Sequence, residues 1–366
     1  MRIPALRRLA APAAAALLAA CTGAPQSEST PVPRPGSTSG PASEVREADV
    51  RAQLEALAHD SMEGRMTASP GMWRSARYIA GRLQAFGVEA AGDDGYLQRI
   101  PISVEPREGR RPRMTLLGAW ADTASLPAAR RAVGVNVVGI LRGSDPALRD
   151  EAVVIGAHFD HLGVSSAGAV AGDSVWNGAD DDASGVVAVL ETARALAAGP
   201  RPRRTVVFLL TTGEEVGLLG TNWYVAHPAV PLARTVADLQ IEMIGRPDSL
   251  AGGPGKAWLT GYARSTMGEA LTAAGVAIVP DPRPAQEFFL RSDNVAFVYA
   301  GIPGHTISSF GMHTDYHRPS DETRAIDYAH MTATVRAVVR AARVLADGPA
   351  PQWKPGGRPA RPQAGQ

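Results

Sequence analysis

The chain has 366 residues, enough for one large domain or two ordinary ones, and its 45% hydrophobic and 20% charged residues are the balance of a globular fold. A formal net charge of +1 leaves no basic footprint for nucleic acid, and the single cysteine excludes an intrachain disulfide.

In chain order, "MRIPALRRL" is a basic start and "AAPAAAALLAA" a short apolar stretch. The stretch falls below the roughly 18 residues that span a bilayer. It closes on Leu18-Ala19-Ala20-Cys21, and small residues before a cysteine at that point resemble the lipobox of bacterial lipoproteins. The resemblance implies a signal peptide over 1–20 and a lipid on Cys21 as the only membrane contact. Thr22, where many such proteins carry a retention aspartate, implies the outer membrane, facing the periplasm or the cell surface. An ordinary cleaved signal peptide with an incidental cysteine is the alternative, and both imply export. Residues 21–45 are rich in Pro, Ser, Gly and Thr and read as a disordered tether. Residues 347–366 share that character and read as a disordered tail, which leaves 46–346 as the folded body.

"EVREADVRAQLEALAHD" reads as a helix, and Ser69-Pro70 as the N-cap and first position of a second that stops before Gly87. Four runs rich in Val, Ile and Leu read as buried strands: 135–141, 152–157, 205–212 and 236–244. Helical stretches follow over 184–199, after Gly217, over 265–274 and over 326–345. The alternation predicts an α/β fold, a single globular domain whose mostly parallel central sheet is flanked by helices on both faces. The segment between Gln98 and Val133 is too short for an inserted domain, and "REGRRPR" within it reads as a solvated loop.

Ligands of such folds bind at the carboxyl ends of strands. There the chain places His158-Phe159-Asp160-His161, then "NGADDDASG" (177–185), Glu214-Glu215, Glu242 and, in "HTDYHRPSD", His313, His317 and Asp321. Imidazoles and carboxylates suit zinc, and suit two zincs where one carboxylate bridges. Carboxylates crowded at one rim raise one another's pKa and destabilise a fold unless cations sit among them.

The stretches "VVIGAHFDHLG", "NGADDDASG", "TTGEEVGLLGT", "IEMIGR", "RSDNVAF" and "YHRPSDE", in this order, resemble the co-catalytic zinc peptidases. That family includes bacterial leucyl aminopeptidases, with glutamate carboxypeptidase II as a larger relative; "DSMEGRMTASPG" and "YLQ" add to a resemblance covering about 54–330. It implies a zinc-exopeptidase (phosphorylase/hydrolase-like) fold, peptide substrates and two zinc ions per chain, with cobalt or manganese as possible substitutes. It implies that His158 and Glu242 serve one ion, Glu215 and His317 the other, and that Asp181 bridges them. Asp160 is then the partner of His158's distal ring nitrogen. Glu214 is the general base that takes a proton from the attacking water and returns it to the leaving amine. The family also implies a cis peptide bond between Asp181 and Asp182, with Asp182 a conformational partner. Asp180 is expected to tolerate substitution best of the three acids. Glu242 stands where many members have aspartate.

Other residues stay open. His161 and His313 line the cleft or cover it; His305 is undecided; Asp321 supports His317 or caps the last helix; Asp293 braces the site or the cleft wall. His59, His227 and His330 are expected to lack a function. The specificity pocket is expected near "DSMEGR", residues 283–300 and the stretch around His313. The expected activity is that of an exported zinc aminopeptidase. A one-zinc glutaminyl cyclase-type acyltransferase shares these ligand types, although "DDASG" is similar to the peptidases, and a non-catalytic binding lipoprotein is the other alternative. Neither the preferred N-terminal residue nor the oligomeric state is legible.

Overall fold

A computed structural model of the chain describes residues 43–361, except 167, 168 and 171. The signal-peptide and Cys21 expectations, and the tether up to residue 42, lie outside the described residues. Among the described residues no helix is long and apolar enough to cross a membrane.

Twelve strands are described: β1 (Glu89–Ala90), β2 (Leu97–Arg107), β3 (Arg110–Leu116), β4 (Arg131–Leu141), β5 (Ala152–His158), β6 (Gly163–Val164), β7 (Val175–Trp176), β8 (Thr205–Thr211), β9 (Thr235–Ile241), β10 (Ala257–Leu259), β11 (Ile278–Pro280) and β12 (Gly304–Ser308). All but β6 and β7 form one sheet, ordered β11-β10-β12-β9-β5-β8-β4-β2-β3, with β1 beside β4. The expected parallel arrangement holds at the centre, where β12, β9, β5 and β8 run the same way. It gives way to antiparallel pairing toward both edges, at β10–β12, β4–β8, β2–β4 and β2–β3. One physical result follows: β5, β8, β9 and β12 release their chains at the same rim.

The central strands are buried on both faces, which is why they read as unbroken apolar runs. Val153, Ile155, Ala157, Val206, Phe208 and Leu210 point to the larger core. There α1 (Glu47–Leu57), α2 (Pro70–Ala85), α3 (Gly185–Ala198), α5 (Met267–Ala273) and α7 (Tyr328–Asp347) pack. Ala152, Val154, Val207 and Leu209 point the other way, onto Tyr224 of α4 (Leu219–Ala226) and Phe297 of α6 (Asn294–Ala300). As expected, the Ser69 hydroxyl accepts from the Met72 amide at 3.2 Å and caps α2 ahead of Pro70.

Three expectations are corrected. "REGRRPR" is not a solvated loop but the turn and second strand of a hairpin, β2–β3. Its apolar positions are few because only Met114, of the residues in β3, is buried. The body also begins earlier than 46: Val45 is buried in the large core, and its carbonyl accepts from Arg336. Residues 348–361 are not a disordered tail. They contribute no sheet of their own, but Trp353 bridges to Ser265 and its indole donates to the Gly301 carbonyl at 2.8 Å. Lys354 pairs with Glu269 at 2.6 Å, and Arg358 donates to the Tyr299 carbonyl at 2.9 Å. A Pro/Gly-rich composition bars a core of its own, not docking onto a body already formed.

Candidate metal centre

Register brings the first groups together. His158 ends β5 directly beside Thr211 of β8, three residues before Glu214, and β9 ends at Ile241, one residue before Glu242. The Asp180–Asp182 run enters from the loop before α3 and is buried throughout. The Asp181–Asp182 peptide bond is cis, as expected.

Asp181 lies at the centre of the group. Its Oδ1 stands 3.4 Å from His158 Nε2 and its Oδ2 stands 3.1 Å from His317 Nε2. His317 Nε2 is also 3.1 Å from Glu215 Oε2. Glu214 and Glu242 line the same cavity as Asp181 and His317. The two neighbouring glutamates of the "GEE" turn therefore diverge. Glu215 meets the imidazoles, and Glu214 faces the cavity.

The charges in this cluster pull hard on one another. Burial opposes protonation of His317, yet Asp181 and Glu215 hold its pKa up at about 10. Burial and Asp181 push Glu215 up, while hydrogen bonds from His161 and His317 draw it down to about 2. Burial lifts Glu242 to about 7, with His158 drawing it back. Glu214 is raised well above the carboxylate range by burial, opposed by His158 and reinforced by Glu242 and Glu215. Raising a carboxyl from the usual carboxylate range makes it a better proton acceptor for water near neutral pH.

The donors fit zinc. His158 Nε2 is buried without a hydrogen-bond partner although a carboxylate oxygen faces it, the arrangement a cation between them satisfies. His161, Asp181 and Glu215 bring ligand atoms within 4.8 Å of one another. His161 Nδ1 lies 2.8 Å from Glu215 Oε1, a hydrogen-bond distance, so of the two imidazoles near this spot His161 orients Glu215 while His317 keeps Nε2 between both carboxylates.

Several expected supporting roles are different in the structure. The Asp160 carboxylate stands 3.7 Å from His158 Nδ1, too far for a hydrogen bond. It is Asp160's backbone carbonyl, at 3.2 Å, that contacts that nitrogen. The carboxylate instead accepts from the Glu214 amide at 3.1 Å and the Thr67 hydroxyl at 2.9 Å, and so fixes the turn that carries the base. Asp321 neither contacts His317 nor caps α7, whose cap is Asp327. Its carboxylate accepts from the amides of Asp180 and Asp181 at 3.0 Å. Asp180 is not a spare acid either. Fully buried, it accepts from the Gly245 amide at 2.6 Å and holds His313 Nε2 at 2.9 Å, tying the His317 loop to the Asp181 loop. Asp182 accepts from the amides of Gly185 and Met243 at 3.0 Å, in keeping with its conformational role. Asp293 braces the end of β8 and α4 through the hydroxyls of Thr211 and Thr221. His305 lies outside the cavity, buried between the Ser265 hydroxyl and the Thr260 carbonyl, each at 2.7 Å.

"DSMEGR" does not line the pocket. Arg65, fully buried, runs beneath the site and donates to the carbonyls of Leu57, Phe159, Asn177 and Gly178 at 2.5–3.0 Å. Gly178 has φ +55°, and a Cβ there would come within 2.2 Å of the Asp181 carbonyl, so the loop requires glycine. Gly185 starts α3 hard against the site, where a Cβ would lie 2.3 Å from the Ile241 carbonyl. Two of the three expected pocket segments do line the cavity, through Phe288, Arg291 and Ser292 and through Phe310 and Tyr316.

Known proteins resemble this chain in family and in fold. Residues 136–342 match the model described as peptidase family M28. The chain is 34% identical over 173 residues to a probable leucine aminopeptidase 2 of Aspergillus oryzae, covering 46% of this chain and 32% of that protein. It is 34% identical over 119 residues to leupeptin-inactivating enzyme 1 of Streptomyces exfoliatus, covering 32% and 24%. The chain thus spans a third or less of the length of these relatives. Among solved structures, an aminopeptidase from Aneurinibacillus sp. strain AM-1 superposes with a TM-score of 0.60 at 15% identity, covering 84% of this chain and 96% of the other. A zinc aminopeptidase from Bacillus subtilis superposes with a TM-score of 0.61 at 15% identity, covering 83% and 96%. At that identity the likeness shows a shared fold: a mixed sheet between two helical layers.

Proposed function

The chain belongs to peptidase family M28, and from that premise we propose that it is a zinc aminopeptidase that removes the N-terminal residue of peptides. The observation that carries the reading is Asp181, whose two oxygens face two different imidazoles, His158 at 3.4 Å and His317 at 3.1 Å. This supports two zinc ions per chain: His158, Asp181 and Glu242 would hold one, and Asp181, Glu215 and His317 the other. Bound there, zinc supplies a Lewis acid for the scissile carbonyl and makes water a nucleophile near neutral pH.

The chain's own residues do the rest. Glu214 accepts a proton from the attacking water and donates it to the leaving amine, a role its raised pKa suits. Asp160, through the Glu214 amide, and His161, through Glu215, hold the two glutamates apart so that only one faces the substrate. The N-terminal start, with a short apolar stretch ending at Cys21, supports export and a lipid anchor at the outer membrane.

The test is Glu214→Gln in the zinc-reconstituted protein, assayed on aminoacyl anilides. Turnover is expected to fall about 10²–10⁴-fold with zinc content unchanged. Equal turnover in variant and wild type contradicts the assignment.

A further inference from the structure

Two side chains in the wall of the cavity carry donors without a strong protein acceptor: the Trp258 indole, which is buried, and the Arg291 guanidinium, which is exposed to solvent at the cavity's edge. Trp258 is 2% exposed, lines the cavity, and its Nε1 is buried with no hydrogen-bond partner. Its ring is stacked on Phe288 at 5.3 Å, so the indole is fixed in place and the orphan is not relieved by a small rotation. Arg291 lines the same cavity, with its guanidinium over the Phe288 ring at 5.0 Å. It has no carboxylate partner among the described residues, and its one hydrogen bond there is a long contact of 3.5 Å to the Gln286 carbonyl. The other arginines of this face are spent otherwise: Arg283 is paired with Asp248 and Arg246 with Asp315.

A buried donor without an acceptor destabilises a protein unless a ligand completes it. Here the completing group must be an acceptor, and beside a free guanidinium the best acceptor is a carboxylate, which an arginine can bind through two parallel bonds. It must also be reached along aromatic surface, past Phe288 and Phe310. A short aliphatic stem ending in a carboxylate meets all three conditions. Resting on the aminopeptidase reading, we propose that this cavity takes the side chain of the substrate's N-terminal residue and that it selects acidic residues, glutamate or aspartate. Arg291 and the Trp258 indole recognise the side-chain carboxylate. The cation also has a sorting role: Glu214, Glu242 and Asp181 border the same cavity, and an acidic side chain is drawn to the arginine and away from them. A site that hydrogen-bonds its substrate discriminates strongly against one lacking the acceptor, because its own donors then stay unpaired.

The experiment compares kcat/KM for Glu-, Asp-, Gln-, Leu- and Lys-anilides in the zinc-loaded full chain and in Arg291→Met, Arg291→Glu and Trp258→Phe. The wild type is expected to favour Glu or Asp over Leu by about 10- to 100-fold, the worth of a charge-assisted hydrogen bond. Arg291→Met is expected to lower that ratio about tenfold or more, and Trp258→Phe, which keeps the stacked ring, severalfold. Arg291→Glu should turn the preference toward Lys-anilide. A wild type that prefers Leu overturns the proposal, as does an acidic preference that neither Arg291→Met nor Trp258→Phe reduces. If the wild type hydrolyses no aminoacyl anilide, the aminopeptidase reading fails instead. Calorimetry with free L-glutamate against L-leucine then decides the pocket by itself, and equal binding of the two overturns it.

Discussion

The two sides of the cleft are built by different means. On one side, the loop that carries Asp181 is held by buried partners: Arg65 beneath it, Asp321 on its amides, and Asp182 across to the Met243 amide beyond β9. On the other side, the wall of Met243, Trp258, Phe288 and Phe310 forms a small hydrophobic cluster separate from the two sheet cores. Apart from Trp258, which sits on β10, it rides on short helical turns and loops, with Glu287 and Met312 in the left-handed region and Leu290 and Met312 exposed. The first side fixes the positions of charges, which must agree to within a few tenths of an ångström for a metal to bind. The second presents surface to a substrate and can vary without moving those charges. In the proposed function, the fold thus separates the chemistry from the choice of substrate.

Breaking the support under the first side should have the largest effect. Arg65→Met leaves four buried carbonyls without their donor and removes a buried cation from among Asp160, Asp181, Asp182 and Asp321. A loss of about 3–5 kcal/mol is expected, with weakened zinc binding, measured by denaturant unfolding and metal titration. Unchanged stability would show that the loop holds itself.

The wall has a weaker support of a different kind. Behind it His305 lies between Phe289 and Trp353, and burial lowers its pKa from 6.5 to about 4. The folded protein therefore holds a neutral imidazole that the unfolded chain would protonate. Its contribution is fully present above pH 6.5 and is lost as pH falls through about 4. The effect reaches about 3 kcal/mol at 1.4 kcal/mol per unit. Unfolding free energies at pH 7 and pH 4.5, compared with His305→Gln, should show a shallower fall in the variant. Parallel falls would contradict it.

The smallest effect is expected at the docked C-terminal segment, which touches neither side of the cleft directly. Ending the chain at Gly348 removes the Trp353 contact and the Lys354–Glu269 pair. It should cost about 1–2 kcal/mol, seen as a modest drop in Tm, with catalytic constants unmoved. A large change in kcat would mean that this segment reaches the site.

The chemistry side was legible in the sequence because its residues sit at the ends of buried strands, where apolar runs mark the element and the next polar residue marks the rim. His158, Glu214, Glu215 and Glu242 were found this way, with the Asp-rich run and His317 placed beside them, and the resemblance assigned each its role, Asp181 as the bridge above all. What stayed hidden is what has no period. Arg65 reads as one more surface arginine in a polar loop, and only the fold buries it. Asp180 and Asp321 act on backbone amides far away in sequence, which no spacing records. The hairpin β2–β3 escaped because Arg-rich strands at a sheet edge bury one residue in seven and so carry little alternation. The docked C-terminal segment was read by composition, which reports whether a segment can form a core and not whether a core can receive it.

The central claim is that Asp181 joins two metal positions, and zinc titration followed by calorimetry and metal analysis tests it most directly. The metal-free wild type is expected to take up two zinc ions per chain. At neutral pH it should release protons as it does so, because a proton held on His317 with a pKa of about 10 must leave before Nε2 can bind metal. Affinity should accordingly rise with pH. Asp181→Ala is expected to impair both positions, and His317→Ala one. A wild type that binds a single zinc, or an Asp181→Ala protein that still binds two with unchanged affinity, would contradict the account.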